Sequence, residues 1–312
     1  MTRKFLTLAL LVHLASGIVA QAVSLRIPRS SRFQGEAQSD RIKDSAQAVI
    51  EKVSVKAPLI DHPLPFKVGE SLVYEASFSK LIFSGTIGEL RLTVSRIDEA
   101  QNVEEKPVGL IEFKADIVSK GFFPALFGIK IRDQFITEVS AQDFALRTSF
   151  QLIEEGKNKR EQKAVINVET GRVLYTEKNL LNKTAQPKVK EADSPPWVLD
   201  LLSAIYYLRT QKLEQGKIIL VPVSEGGQVY NVEAEVLGRE EVKVAAGKFR
   251  AVKLDIKAFD GRYTRRKGEM KMWITDDERR LPVRAKIKSS GATVTIDLKR
   301  LPGQDKPQTK KS

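Results

Sequence analysis

Apolar and polar residues alternate with a period of two along most of the chain between residues 66 and 302. In the first such segment, Leu72, Tyr74, Ala76 and Phe78 alternate with polar neighbours. The same alternation recurs in several later segments: 89–95, 111–117, 230–236, 252–258, 281–287 and 294–298. Successive side chains of a strand point to opposite faces, so this pattern predicts about a dozen strands with one buried face each.

Turn-forming residues separate the predicted strands at hairpin spacing. Examples are Gly226-Gly227, Ala246-Gly247 and Ser289-Ser290-Gly291. Short connections of this kind favour an antiparallel meander, because parallel strands would need long crossover connections between them. A large sheet with one apolar face must either curl on itself or be covered by another element.

One segment has the spacing of an amphipathic helix. Ser194 is a plausible N-cap, two prolines follow it, and apolar residues then recur at helical spacing to about Gln211. We therefore predict an all-β fold with one main helix, built as a large curved antiparallel sheet or half-barrel with the helix on its concave side. The helix either fills the core or leaves space beneath it.

The chain divides into four predicted segments. Residues 1–22 resemble a signal peptide, because Arg3 and Lys4 precede an apolar run to Ala20 that is shorter than a membrane span. Cleavage is expected after Ala22, or alternatively after Ala20, and an uncleaved anchor is the other alternative. Residues 23–65 are a predicted flexible linker, 66–302 a single antiparallel β domain, and 303–312 a disordered basic tail. The predicted location is periplasmic or secreted, with no stable membrane span after cleavage.

Composition excludes several kinds of chemistry. The sequence has no cysteine and two histidines, which removes disulfides, thiolate zinc sites, thiol nucleophiles and a lipid-anchor cysteine, and makes a histidine-based triad very hard to build. We predict no catalytic residues, no metal site and no cofactor. The net charge of +13 suits either a solvated basic surface or association with anionic envelope polymers or lipid headgroups. No nucleic-acid partner is predicted, because no basic run is interleaved with aromatics.

Five aromatic residues are candidates for ligand contact. Phe122, Phe123 and Phe127 lie in an apolar connector between two predicted strands, which could serve as a lid, a membrane-touching tip or a partner anchor, or could fold over an open edge of the sheet as additional core. Tyr206 lies on the predicted helix. Trp273 shares a strand face with charged residues, so it is either an aromatic on the outer face or marks a bulge that reverses the alternation.

Five short motifs in order resemble an exported bacterial family catalogued as domain of unknown function 3108. They are GESLVYE at 69–75, DLLSAIYYLR at 200–209, AGKF at 246–249, MWITDD at 272–277 and RLPVR at 280–284. The resemblance covers about residues 66 to 301. It implies an all-β exported domain in bacteria with a Gram-negative type of envelope, and brings no established activity, cofactor or catalytic residue.

Two functions from different classes follow from these observations. The first is a non-enzymatic envelope protein that binds an apolar or amphipathic ligand such as a lipid, or a segment of an envelope protein partner, in the curved sheet. The alternative is a carboxylate-dependent envelope hydrolase acting on a polysaccharide, because glycoside cleavage needs only two carboxyl groups. Under the first function, the helix and the connector with Phe122, Phe123 and Phe127 are expected to border an apolar cavity.

Overall fold

The computed structural model describes residues 63–98, 109–121, 124, 128, 130–182, 184–258 and 268–301. These residues form fourteen strands and one helix, α1 (Leu201–Thr210). The strands are β1 (Ser71–Lys80), β2 (Phe83–Ile97), β3 (Leu110–Ser119), β4 (Arg132–Ser140), β5 (Leu146–Glu155), β6 (Asn158–Asn167), β7 (Arg172–Asn179), β8 (Lys188–Asp193), β9 (Ile218–Glu225), β10 (Gln228–Val244), β11 (Gly247–Ile256), β12 (Gly268–Thr275), β13 (Pro282–Ser289) and β14 (Ala292–Arg300).

All fourteen strands belong to one antiparallel sheet. Its order is β8-β7-β6-β5-β4-β3-β2-β1-β14-β13-β12-β11-β10-β9. The first and last strands of the chain pair with each other in the middle of the sheet, with Ala76 opposite Ile296 and Phe78 opposite Val294. Each half of the sheet is therefore a meander. The chain runs outward from the central pair from β1 to β8, and it returns inward from β9 to β14.

The sheet curls strongly but does not close into a barrel. Its two edge strands are β8 and β9, which are not hydrogen-bonded to each other as neighbours. The turn between β9 and β10 nevertheless reaches the opposite end of the sheet, where Lys190 Nζ donates to the carbonyl oxygen of Gly226 over 3.1 Å. The next residue, Gly227, has a φ of 77°, and a Cβ there would lie 3.2 Å from the Cβ of Tyr175. Glycine permits this close approach.

The helix α1 begins five residues later than the sequence pattern predicts. Its N-cap is Asp200 and not Ser194: the Asp200 carboxylate accepts from the Ser203 amide, and the Ser203 hydroxyl accepts from the Asp200 amide. The residues before it are extended, because Leu199 forms a bridge to Val223 of β9. The predicted N-cap at Ser194 was wrong, since the two prolines lead into this added piece of edge strand.

A buried ion pair fixes the other end of the helix. The Arg209 guanidinium donates to both carboxylate oxygens of Glu70 over 2.5 and 2.9 Å, and also to the carbonyl oxygens of Pro65 and Arg279. The Arg209 side chain is 0% exposed. Two distant parts of the chain, residues 65–70 and Arg279, are thus tied to the last turn of α1.

The predicted fold class is confirmed: the described chain is almost wholly antiparallel sheet, curved and open, with one main helix on its concave side. Residues 1–62 and 302–312 lie outside the described residues. The signal peptide, nearly all of the linker and the basic tail therefore stay predictions.

Candidate ligand-binding cavity

An apolar cavity of about 150 Å³ lies between α1 and the concave face of the sheet. The helix contributes Leu201, Leu202, Ala204, Ile205 and Leu208 to it. The other wall consists of inward-facing apolar side chains from strands on both halves of the sheet. These wall residues are Leu90, Leu92, Ala115, Ile117, Phe135, Val221, Val223, Val232, Ala234, Ile256, Ala258, Met270 and Met272.

Three polar side chains complete the cavity wall: Gln151, Asp200 and Glu225. Asp200 is occupied, because it caps α1 and accepts a 2.5 Å hydrogen bond from the hydroxyl of Thr137. The side-chain oxygen of Gln151 is buried and has no hydrogen-bond partner among the described residues. The cavity is therefore apolar along the helix and has a hydrogen-bonding acceptor in its wall.

Gln151 and Glu225 also line a second, much smaller hollow of about 10 Å³. Its other walls include Ser149, Gln162 and Tyr175, so it is polar where the large cavity is apolar. Because the two hollows share two lining residues, a region lined mostly by polar residues at the β9–β10 turn adjoins the large cavity.

Tyr206 lies in the aromatic core beside the cavity and does not belong to its wall. Its ring stacks on Phe113 with 3.9 Å between centroids and 9° between planes, and it meets Phe66 edge-on at 5.2 Å. Burial raises the pKa of its phenol well above the ordinary tyrosine value. Two residues away, Ala204 faces the cavity, so the rotation of the helix decides which side chains a ligand could reach.

Trp273 lies on the opposite face of the sheet from the cavity. It pairs with Lys253 and Arg284 of the neighbouring strands, and a register shift separates it from Ile274. Its indole Nε1 donates to Glu240 over 2.6 Å, and Lys253 Nζ lies 5.4 Å from the ring centroid. The sequence left two alternatives, an aromatic on the outer face or a bulge. The structure has a register shift next to Trp273, and charged side chains cover its ring on the outer face.

Phe122, Phe123 and Phe127 lie outside the described residues, so their contact with a ligand stays a prediction. The residue before them is placed: Gly121 has a φ of 68°, and a Cβ there would lie 2.4 Å from the carbonyl oxygen of Thr86 in β2. The connector therefore leaves β3 directly against β2, which is possible only because Gly121 has no side chain.

One buried carboxyl group was missed at the sequence level. Asp133 in β4 is 1% exposed, and its Oδ1 accepts from the amide of Glu154 over 2.8 Å. Burial, with the nearby charge of Glu155 as the next cause, raises the pKa of Asp133 to about 7. The alternation of Asp133 with Phe135, Thr137 and Val139 could have placed it on the inner face.

The described residues contain neither a cluster of potential metal ligands nor a helix that could span a membrane. In this part of the chain no group of three or more histidine, cysteine, aspartate or glutamate side chains is arranged to hold a metal ion. Among the same residues, α1 is too short to cross a membrane, and no other helix is long and apolar enough to do so.

The family model described as "Protein of unknown function (DUF3108)" matches residues 73–299. The chain belongs to this family. The match covers most of the sequence and begins and ends within the central strands β1 and β14, so it spans the entire curved sheet. The resemblance inferred from the five motifs is confirmed. Among curated proteins, none matches the sequence.

Three solved structures are similar to this chain at very low sequence identity. One is a β-barrel-like protein of domain of unknown function DUF1849 from Brucella abortus, with 8% identity, a TM-score of 0.45, and 75% of this chain and 97% of that chain covered. A second, from Bacteroides fragilis, is described as an exported protein with a YmcC-like fold, with 11% identity, a TM-score of 0.34, and 76% and 97% covered. The third, from Parabacteroides distasonis, is described as a lipoprotein, with 9% identity, a TM-score of 0.30, and 79% and 99% covered.

Proposed function

We propose that this DUF3108 protein is an exported, non-enzymatic protein of the cell envelope that binds an apolar or amphipathic ligand between α1 and the sheet. The observation that carries the proposal is the apolar cavity of about 150 Å³ beneath the helix. Well-packed protein interiors have few voids larger than a water molecule, so a space of this size is a departure from ordinary core packing.

The size of the cavity limits the part of the ligand that it takes. An apolar cavity of about 150 Å³ stays dry and can hold a molecule the size of benzene. The space therefore suits a ring or a short stretch of acyl chain, with the rest of the ligand placed elsewhere. Filling it would restore the van der Waals contacts that an empty apolar space lacks.

The polar region next to the cavity supports an amphipathic ligand. The Gln151 side-chain oxygen, which lacks a partner among the described residues, is an acceptor for a hydroxyl or amine on the ligand. Glu225, buried in the same wall, adds a carboxyl group there. In many known binding sites, a few polar groups in an otherwise apolar pocket fix the orientation of the ligand.

The hydrolase alternative receives less support from this geometry. Glycoside hydrolysis needs two carboxyl groups that flank the scissile bond in one cleft. Of the two carboxyl groups in the cavity wall, Asp200 is committed to the N-cap of α1 and to Thr137. Asp133, the buried carboxyl group with a pKa suited to acid catalysis, is not part of that wall.

Ligand binding is tested by filling the cavity. We expect that replacing Ala204 and Ala234 together with leucine lowers the affinity for a hydrophobic fluorescent dye at least tenfold, because both side chains project into the wall of the cavity. The melting temperature should stay the same or rise, since filling an apolar void adds contacts. The matched control is Ala185→Leu, a change of the same size in the loop between β7 and β8.

Mass spectrometry of organic extracts from the protein purified out of its native envelope identifies the natural ligand. A ligand present in the wild-type extract should be lost from the Ala204→Leu/Ala234→Leu variant and kept in Ala185→Leu. Equal dye affinity in all three proteins, with no co-purifying molecule, would overturn the proposed function.

A further inference from the structure

The turn between β1 and β2 carries an exposed apolar tip, here defined as residues 81–83. Leu81 is 91% exposed, Ile82 90% and Phe83 59%. Scattered single apolar residues on a surface are ordinary, but three consecutive ones at a hairpin tip are not.

Turn chemistry does not account for the residues at this tip. Lys80 pairs with Phe83, so Leu81 and Ile82 form a two-residue turn. Its φ is positive at Leu81 (53°) but not at Ile82, which is the pattern of a type II′ turn. Glycine is strongly preferred at the first position of that turn, and leucine there is unfavourable. The leucine at position 81 therefore makes this turn less stable than glycine would.

The tip projects beyond its neighbour on one side. On the β3 side, the last described contacts with β2 are the hydrogen bond from the Lys120 amide to the carbonyl oxygen of Ile87 and the packing of Gly121 against Thr86. The β1–β2 hairpin continues for three more residues to Phe83, which is roughly 10 Å at the rise of an antiparallel strand. The tip can therefore meet a surface before the neighbouring strand does.

Basic side chains lie at the same end of the sheet as the tip. Lys80 is next to it in sequence, and Lys120, Lys130 and Lys157 are exposed at strand ends and turns on the β3 side of the hairpin. The turn with Lys157 is hydrogen-bonded to the start of β4, where the amide of Gly156 donates to the carbonyl oxygen of Lys130. Lys120 is partly neutralised by Glu89, 2.9 Å away.

We propose that the tip inserts into the surface of an anionic lipid bilayer, with the lysines at the same end of the sheet against the lipid headgroups. Apolar residues that enter the boundary between headgroups and acyl chains, flanked by basic residues, are a recurring means of reversible membrane attachment. A protein partner fits less well, because a stable protein interface buries about 800 Å² on each side and a protruding two-residue turn offers little complementary area. The proposal does not depend on the cavity having a ligand.

Vesicle sedimentation of the full chain tests this proposal. We expect binding to vesicles of equimolar phosphatidylglycerol and phosphatidylcholine, weaker binding to phosphatidylcholine alone, and weakening by salt. The variant Leu81→Asn/Ile82→Ser should lower the partition coefficient by about tenfold or more. Asparagine tolerates the positive φ, so its melting temperature should not fall, and unfolding cannot explain the loss.

The matched control is Val168→Asn/Ile218→Ser, which removes two other exposed apolar side chains at the opposite end of the sheet. It retains the same first 62 residues as the tip variant, so any contribution of an uncleaved signal sequence is equal in both. Equal vesicle binding by the two variants would overturn the proposal. A tip variant that changes only the oligomeric state, with no vesicle binding by the wild type, would assign the tip to self-association and overturn it as well.

Discussion

Replacing Arg209 with methionine is expected to lower the free energy of unfolding by about 3–5 kcal/mol. The substitution leaves the Glu70 carboxylate buried without its partner, and breaking a buried ion pair by removing one member costs about this much. The carbonyl oxygens of Pro65 and Arg279 lose a donor at the same time. Equilibrium denaturation at neutral pH measures the change.

A double-mutant cycle separates the ion pair from general packing at this position. Glu70→Leu/Arg209→Met removes both charges, so its loss should be clearly smaller than the sum of the two single losses. Lys299→Met is a suitable control: it breaks an ion pair with Glu75 in which both side chains are well exposed, and such surface pairs contribute about 0–1 kcal/mol. A loss for Arg209→Met as small as that of Lys299→Met would contradict the prediction.

The same ion pair explains why the sequence predicts the helix but not that Ala204, rather than Tyr206, faces the cavity. Helical spacing of apolar residues indicates that a helix exists, yet its rotation against the sheet is set by Arg209 and Glu70, which are 139 positions apart. That long-range contact places Ala204 in the cavity wall and Tyr206 against Phe113. From the sequence alone, the larger aromatic residue was the natural candidate.

The strands were predictable because their pattern is local. Alternation identifies both the strand and its buried face within a few residues, as in β1 and β14. The start of α1 was not predictable from the sequence, because Pro195 and Pro196 are as suited to an edge strand as to a first helical turn. Pairing of Leu199 with β9 settles the choice, and this pairing depends on how far the whole sheet curls.

Asp133 exposes a different limit of sequence interpretation. Its position in the alternation predicts an inward side chain, whereas its charge predicts an outward one. The structure resolves the conflict in favour of position, because Asp133 is paired opposite Ile117 and neighbours Phe135 on the inner face. A charged residue that the alternation places on the inner face of its strand is therefore worth testing experimentally.

Asp133 is expected to make the protein less stable as the pH rises from about 4 to about 7. Burial, followed by the charge of Glu155, raises its folded-state pKa to about 7, whereas an unfolded aspartate has a pKa of about 3.9. Between these values the folded chain holds a proton that the unfolded chain has released. The free energy of unfolding therefore falls by at most about 4 kcal/mol as the pH rises through this interval, and it levels off above it.

Asp133→Asn tests this linkage because asparagine resembles the protonated carboxyl group. Its side-chain oxygen can still accept from the amide of Glu154. We expect a gain of at most about 1.5 kcal/mol at pH 5 and a larger gain of about 2–4 kcal/mol at pH 8, measured by denaturation at both values. The variant should thus remove the fall in stability that the wild type shows across this range.

A control of opposite sign is available on the neighbouring strand. Burial alone would raise the pKa of Glu112, but hydrogen bonds from Ser95 and Lys114 outweigh it and lower the pKa. Glu112 therefore contributes stability that is present above its unfolded pKa and is lost as the pH falls through the folded value, so Glu112→Gln should destabilise the protein at pH 8 and not stabilise it. If Asp133→Asn is instead destabilising at pH 8, or its effect is the same at both pH values, Asp133 releases its proton in the folded protein at about the same pH as in the unfolded chain, and the argument from burial is wrong.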